Sequence, residues 1–153
     1  MAWRQPRVWR VEDGTVIVLP STDDRHASLM DEFLLGCPSA RVIIVDPSAA
    51  GSRSARMSVA ISELAPVPPL TVVAFGVAAQ ALPQIAVAQR AAHRRVAEYV
   101  LVDPVLPTVN DAWPNAPVTV IGEPTSEASL QGRLRGWTVL PTAALLDWTV
   151  GGG

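Results

Sequence analysis

A chain of 153 residues that is 49% apolar has room for one domain with a real core and little room for two. Its mean hydropathy of +0.27 excludes an intrinsically disordered chain. The net charge of −2 excludes a nucleic-acid binder that works by neutralising phosphates.

All 12 basic residues are arginine, which removes lysine nucleophile and Schiff-base chemistry. With so much Ala, Val and Pro, this composition points to a high-GC bacterial genome. Cys37 is the one cysteine, so no intrachain disulfide is expected and a reducing cytoplasm fits. The first residues, MAWRQPRVWRVEDG, lack the apolar stretch of a secretory signal, and no apolar run approaches a membrane span.

In chain order, Val8–Val11, Glu12-Asp13-Gly14 and Thr15–Leu19 read as strand, turn, strand, with Asp13-Gly14 as a hairpin signal. Ser21 to Asp24 form a loop with several N-cap candidates. Leu29, Met30, Phe33 and Leu34 are spaced for a helix that stops at Gly36-Cys37-Pro38. Arg41–Asp46 reads as a buried strand. Met57, Ile61 and Leu64 mark one face of a helix broken by Pro66, Pro68 and Pro69.

The stretch around which the rest is arranged is Leu70 to Arg95. Leu70–Phe75 reads as a strand apolar on both faces, Gly76 as a sharp turn, and the following residues as a helix. Leu82, Ile85, Ala86 and Gln89 fall at helical spacing, and Arg90, Arg94 and Arg95 load its last turns. Further strands are expected at Glu98–Asp103, Val118–Gly122 and Gly136–Leu140, with a proline-rich link over 104–117. Short helices are expected at Ser126–Arg135 and after Pro141. The expectation is one α/β domain over residues 1–150, with 151–153 as a frayed tail. Its mostly parallel sheet carries helices on both faces, so any site lies along the carboxyl edge of the strands.

This order of elements resembles the α/β-hydrolase family over nearly the whole chain. Val16–Ser21 looks like the strand and loop that carry an oxyanion donor there. Val42–Ser54 is similar to a strand followed by D-x-P-G-x-G-x-S. Gly76-Val77-Ala78-Ala79-Gln80 falls where the nucleophile elbow G-x-S-x-G belongs. Tyr99–Pro104 looks like the strand after the elbow helix, Asp111–Gly122 like the approach to the catalytic acid, and Gly136–Pro141 like the approach to the catalytic histidine. On this resemblance the nucleophile position is Ala78, the acid position is near Thr125 with Glu123 at the wrong offset, and the histidine position is near Thr142 and Ala143. The resemblance therefore implies a short member of the family that lacks the Ser-His-Asp triad. It also implies a lidless one, because the lid would enter at Pro104–Pro117.

Two functional expectations follow. In the first, a catalytically degenerate protein binds a small hydrophobic acyl or polyketide-like ligand, or serves as a partner subunit. Ser21, Thr22, Val77, Ala78, Ala79 and Thr125 then line the binding site. In the second, a non-hydrolytic tailoring enzyme of bacterial small-molecule metabolism (a cyclase, isomerase or dehydratase) uses Asp23, His26 or Asp103 as proton carriers. Each of these residues also has a plain structural role open to it: helix capping for Asp23, an exposed first turn for His26, turn chemistry for Asp103 before Pro104. Ser21 with His26 is a further candidate, as a displaced nucleophile and base. No cofactor or metal is expected, since the glycines of a nucleotide fingerprint are missing and Asp23-x-x-His26 lacks further ligands. Expected partners are a small hydrophobic molecule or a protein, with self-association through the tryptophans as a further option, and neither nucleic acid nor membrane.

Overall fold

The computed structural model describes residues 14–45, 52–106, 113 and 116–146. The expected first strand at Val8–Val11, Asp46, Asp111, Trp3, Trp9, Trp148 and most of the link over 104–117 lie outside the described residues.

Six strands form one sheet: β1 (Thr15–Leu19), β2 (Arg41–Val42), β3 (Leu70–Phe75), β4 (Val96–Val102), β5 (Val118–Ile121) and β6 (Thr138–Leu140). Every neighbouring pair is parallel and the spatial order is β2-β1-β3-β4-β5-β6. Parallel neighbours need crossovers, and helices supply them. Among the described residues these are α1 (Ala27–Gly36), α2 (Arg53–Leu64), α3 (Leu82–Ala91) and α4 (Glu127–Leu134), while α5 (Ala143–Leu146) follows the last strand and the link from β4 to β5 has no described helix. Short side chains start two of them: the Ser52 hydroxyl accepts the Ala55 amide at the head of α2, and Ser126 accepts the Ser129 amide at the head of α4.

The sheet divides the core in two because alternate strand residues point to opposite faces. On one face Ile17, Leu19, Val72 and Leu101 pack with Met57 and Ile61 of α2, Leu82 and Ile85 of α3, and Ala128 of α4. On the other, Val18, Phe75, Val100 and Val102 pack with Phe33 of α1 and Leu145 of α5. β3 is buried at every position, so its apolar run is that of a central strand covered on both sides. Each large side chain fully buried here contributes roughly 1.5–3 kcal/mol. The result is the three-layer α/β sandwich expected from the alternation of elements.

Three local expectations change. Of the buried strand expected at Arg41–Asp46, the described part, 41–45, is mostly not strand. Among the described residues only Arg41–Val42 is strand there, at the edge of the described sheet, and Ile44 stands 84% exposed, because a strand paired on one side soon leaves the ladder. The helix after Gly76 ends at Ala91. His93 turns the chain with a left-handed φ of 57°, so Arg94 and Arg95 lie beyond the helix rather than in its last turn. The strand expected from Glu98 begins two residues earlier, at Val96. Among the described residues no helix is long and apolar enough to cross a membrane.

Candidate functional site

The chain runs from β1 out to β2 at one edge, then returns to place β3 on the other side of β1. That reversal opens the crevice where α/β sheets place their ligands, beyond the carboxyl ends of the strands. Three strand ends meet there: Ser21 follows β1, Gly76 follows β3 and Asp103 follows β4.

Asp23 caps a 3-10 turn, Asp24–His26, that leads into α1. The turn carries His26 back beneath the loop, where it is only 6% exposed. Its Nδ1 lies 2.9 Å from the Ser21 hydroxyl and its Nε2 lies 2.9 Å from Asp103 Oδ2. An ionised carboxylate offers only lone pairs, so Nε2 carries the hydrogen and donates it to Asp103. In the neutral ring Nδ1 is then the acceptor, and Ser21 O–H donates to it. The Ser21 oxygen also accepts the Asp23 amide at 3.0 Å. A hydroxyl, an imidazole and a carboxylate from two loops are thus joined in one directed chain of hydrogen bonds.

Asp103 has a left-handed φ of 42° and its side chain is 58% exposed. A non-glycine residue in that region is strained, and such strain gathers at functional sites. Its own amide is secured to the Ile121 carbonyl at 2.7 Å.

Gly76 explains how the cluster fits. Its φ is +56°, and a Cβ there would stand 2.8 Å from Ser21 Oγ, 2.9 Å from His26 Cε1 and 3.1 Å from His26 Nδ1. The serine hydroxyl and the imidazole edge therefore occupy the space into which a side chain at position 76 would project. Glycine is required for the backbone angle and for the room.

The sharp bend after the central strand is at Gly76, two residues before Ala78. Ala78 and Ala79 are 1% and 0% exposed, inside a 3-10 turn spanning Gly76–Ala81 whose inner side packs into the core. Their side chains belong to the core cluster that also holds Leu82 and Ile85. Val77 is half-buried at the start of that turn, and Thr22 is exposed beside Ser21. Thr125 and Glu123 are exposed in the turn after β5, and Thr142 and Ala143 are exposed after β6; none of them hydrogen-bonds to the cluster. Asp23 meets the cluster through its backbone, its amide donating to Ser21 and its carbonyl accepting the His26 amide at 3.1 Å. Its carboxylate is held by Arg25 at 2.8 and 2.6 Å, and those hydrogen bonds keep its pKa below the usual carboxylate value.

So Ser21, His26 and Asp103 come together, while the remaining candidates do not. The link from His26 to Asp103 spans 77 residues and depends on β4 lying beside β3, which no local motif announces. The position of the bend was legible: the apolar run ends at Phe75, and the glycine directly after it takes the left-handed angle. Among the described residues no group of three or more His, Cys, Asp or Glu side chains could hold a metal.

Neither family models nor curated proteins match this sequence. A solved structure does match: a candidate YdeN-like hydrolase from Pectobacterium atrosepticum, superposing with a TM-score of 0.57 over 83% of this chain and 75% of that one. The fold is α/β-hydrolase-like. At 16% identity the likeness extends to the architecture and stops there.

Proposed function

We propose that this is a hydrolase-fold protein without an elbow nucleophile, which binds a small hydrophobic acyl-type ligand at the carboxyl edge of its sheet. The observation that carries this is Gly76: the residue at the bend of the middle strand has no side chain, and Ser21 and His26 fill the space beside it. Acyl transfer at that bend needs a nucleophilic atom that glycine does not have. The edge still offers a hydroxyl, an imidazole and a carboxylate to fix a polar head. Ile44 and Val105, 84% and 50% exposed at the ends of β2 and β4, offer apolar surface for a tail. A lidless edge suits such a ligand, or a partner subunit that covers it.

A second reading is favoured by the directed hydrogen-bond chain. His26, oriented by Asp103, can take the Ser21 proton onto Nδ1 while the serine oxygen bonds to a substrate carbonyl, or can move a proton on a bound substrate without covalent chemistry. The bond that Ser21 accepts from the Asp23 amide, and its half-buried place against Gly76, weigh against the covalent version.

Two measurements separate these. The first is fluorophosphonate labelling followed by peptide mapping; the binding reading expects no adduct, and an adduct on Ser21 replaces it with the covalent one. The second is titration with decanoate by amide NMR. Saturable shifts at Ser21, His26 and Val105, lost in Thr22→Trp, support the binding reading, and no saturable shift anywhere along the carboxyl edge refutes it.

A further inference from the structure

At the other end of β4, about 20 Å from Asp103 for a strand of this length, the chain builds a second polar site. A cleft of about 210 Å³ opens where α3 ends and β4 begins, lined by Gln89, Arg90, Arg94, Arg95, Val96 and Tyr99 among others. None of the described residues that line it is acidic.

Gln89 is the informative residue. It is 1% exposed, and its Nε2 has no hydrogen-bond partner among the described residues. The orientation of the amide is not arbitrary. Arg94 Nη1 donates to Gln89 Oε1 at 3.0 Å, and a guanidinium can only donate, so the oxygen must face Arg94 and the NH2 must face away from it. The chain fixes this arrangement by folding back over the helix end, where the Arg94 amide donates to the Gln89 carbonyl at 2.9 Å. A buried amide donor left without an acceptor is costly, and native interiors rarely tolerate one unless a water or ligand completes it.

The three arginines have a modest structural role to fill. A helix C-terminus presents roughly half a negative charge, which one cation nearby would offset. Here Arg90, Arg94 and Arg95 bring three positive charges to one small cleft. Of their guanidiniums, only that of Arg94 has hydrogen bonds among the described residues, to Gln89 and to Ser62. Guanidinium forks match the oxygens of phosphate and carboxylate, and a surplus of this size favours a dianion.

We propose that this cleft binds a phosphate group, with Gln89 Nε2 as the buried donor and Arg90 and Arg95 as the outer clamps. Val96 and the ring of Tyr99 provide an apolar wall, so a phosphate monoester with an apolar part fits better than the free ion. The volume is below the usual range for drug-sized ligands and suits a small head group. This site is independent of the carboxyl edge, and either proposal can fail alone.

The test is titration of the full chain, at low ionic strength in a phosphate-free buffer, with inorganic phosphate and with phenyl phosphate. Binding is followed by NMR at the Gln89 side-chain amide and by calorimetry. Saturable binding of phenyl phosphate that moves the Gln89 NH2 signal, weakened about tenfold or more in the double variant Arg90→Ala/Arg95→Ala, is expected. Both arginines are exposed, so the double variant should fold; its circular dichroism and melting curve check that. Gln89→Leu tests the buried donor directly and should also weaken binding. Inorganic phosphate binding as tightly as phenyl phosphate would assign the site to the free ion. No saturable binding of either probe, or binding unchanged in the double variant, overturns the proposal.

Discussion

Substituting Gly76 by alanine tests the packing of the site, and Gly136→Ala supplies its control. Both glycines have left-handed φ angles, +56° and +77°, so alanine meets the same kind of backbone penalty at either position. That penalty is roughly 1–2 kcal/mol. The surroundings differ. A Cβ at 136 meets nothing within 4 Å, whereas one at 76 stands 2.8 Å from Ser21 Oγ and 2.9 Å from the His26 ring. His26 is buried and cannot swing into solvent, so relief comes from stretching the Ser21–His26 bond or twisting a side chain off its rotamer. Each of these costs about 0.5–1.5 kcal/mol. Gly76→Ala should therefore lose about 1.5–3.5 kcal/mol and Gly136→Ala about 1–2. Urea unfolding followed by tryptophan fluorescence measures both; for Gly76→Ala a midpoint lowered by about 1–2 M is expected at an m-value typical of this size. Equal losses in the two variants, within about 0.5 kcal/mol, would show that Ser21 and His26 are not packed against the bend.

Asp103→Gly relieves a φ of 42° while deleting the hydrogen bond to His26, so its stability should fall by less than that of Asp103→Ala, by about 1 kcal/mol; the reverse order in urea melts would refute the strain. Tyr99 is the single tyrosine, so absorbance at 295 nm follows its ionisation alone. Burial pushes its pKa up to about 12 from 10.0, so the native state holds the proton more tightly than the unfolded chain does. The stabilisation is complete below pH 10 and is lost as pH rises through 12, by roughly 2–3 kcal/mol. Tyr99→Phe should remove that alkaline slope, and an ordinary midpoint near 10 in the native titration would contradict the burial. Burial also pushes the Cys37 thiol up, so maleimide labelling at pH 7.5 should be slow in the native protein and about 100-fold faster in urea; equal rates would place Cys37 at the surface.

The sheet was legible where burial is symmetric. Leu70–Phe75 has apolar residues on both faces, which is the pattern of a strand covered by two helix layers, and Met57, Ile61, Leu82 and Ile85 repeat at the spacing of the helices that cover it. Edges were harder. Ile43 and Ile44 look alike in sequence, yet one is 3% exposed and the other 84%, because only tertiary position decides which side of an edge strand is covered. At the site, Ser21 and His26 were visible as neighbours along the chain, but their bond to Asp103 is a property of strand order. The nucleophile position at Ala78 came from aligning five letters with a motif, while the bend itself was read at Gly76, where the first residue after the strand takes a left-handed φ. The unpartnered Gln89 donor could not have been anticipated, since Gln89 falls on the helical stripe that reads as core.

Among the described strands no neighbours are antiparallel, so they offer no hairpin from which to begin folding. Their shortest closures join β4 to β5 and β5 to β6, which set Tyr99 opposite Val118 and Thr119 opposite Thr138, and β3 to β4 follows with Leu70 opposite Val96, whereas joining β1 to β3 brings Thr15 opposite Leu70 across a much longer closure. Local loops close cheaply and long ones late, so β3 to β6 form the natural nucleus and β1 docks onto β3 afterwards. Because Ser21 enters with β1 and Asp103 with β4, the hydrogen-bonded cluster completes only in the final stage, and a chain stalled before it exposes the bare flank of β3 to other molecules.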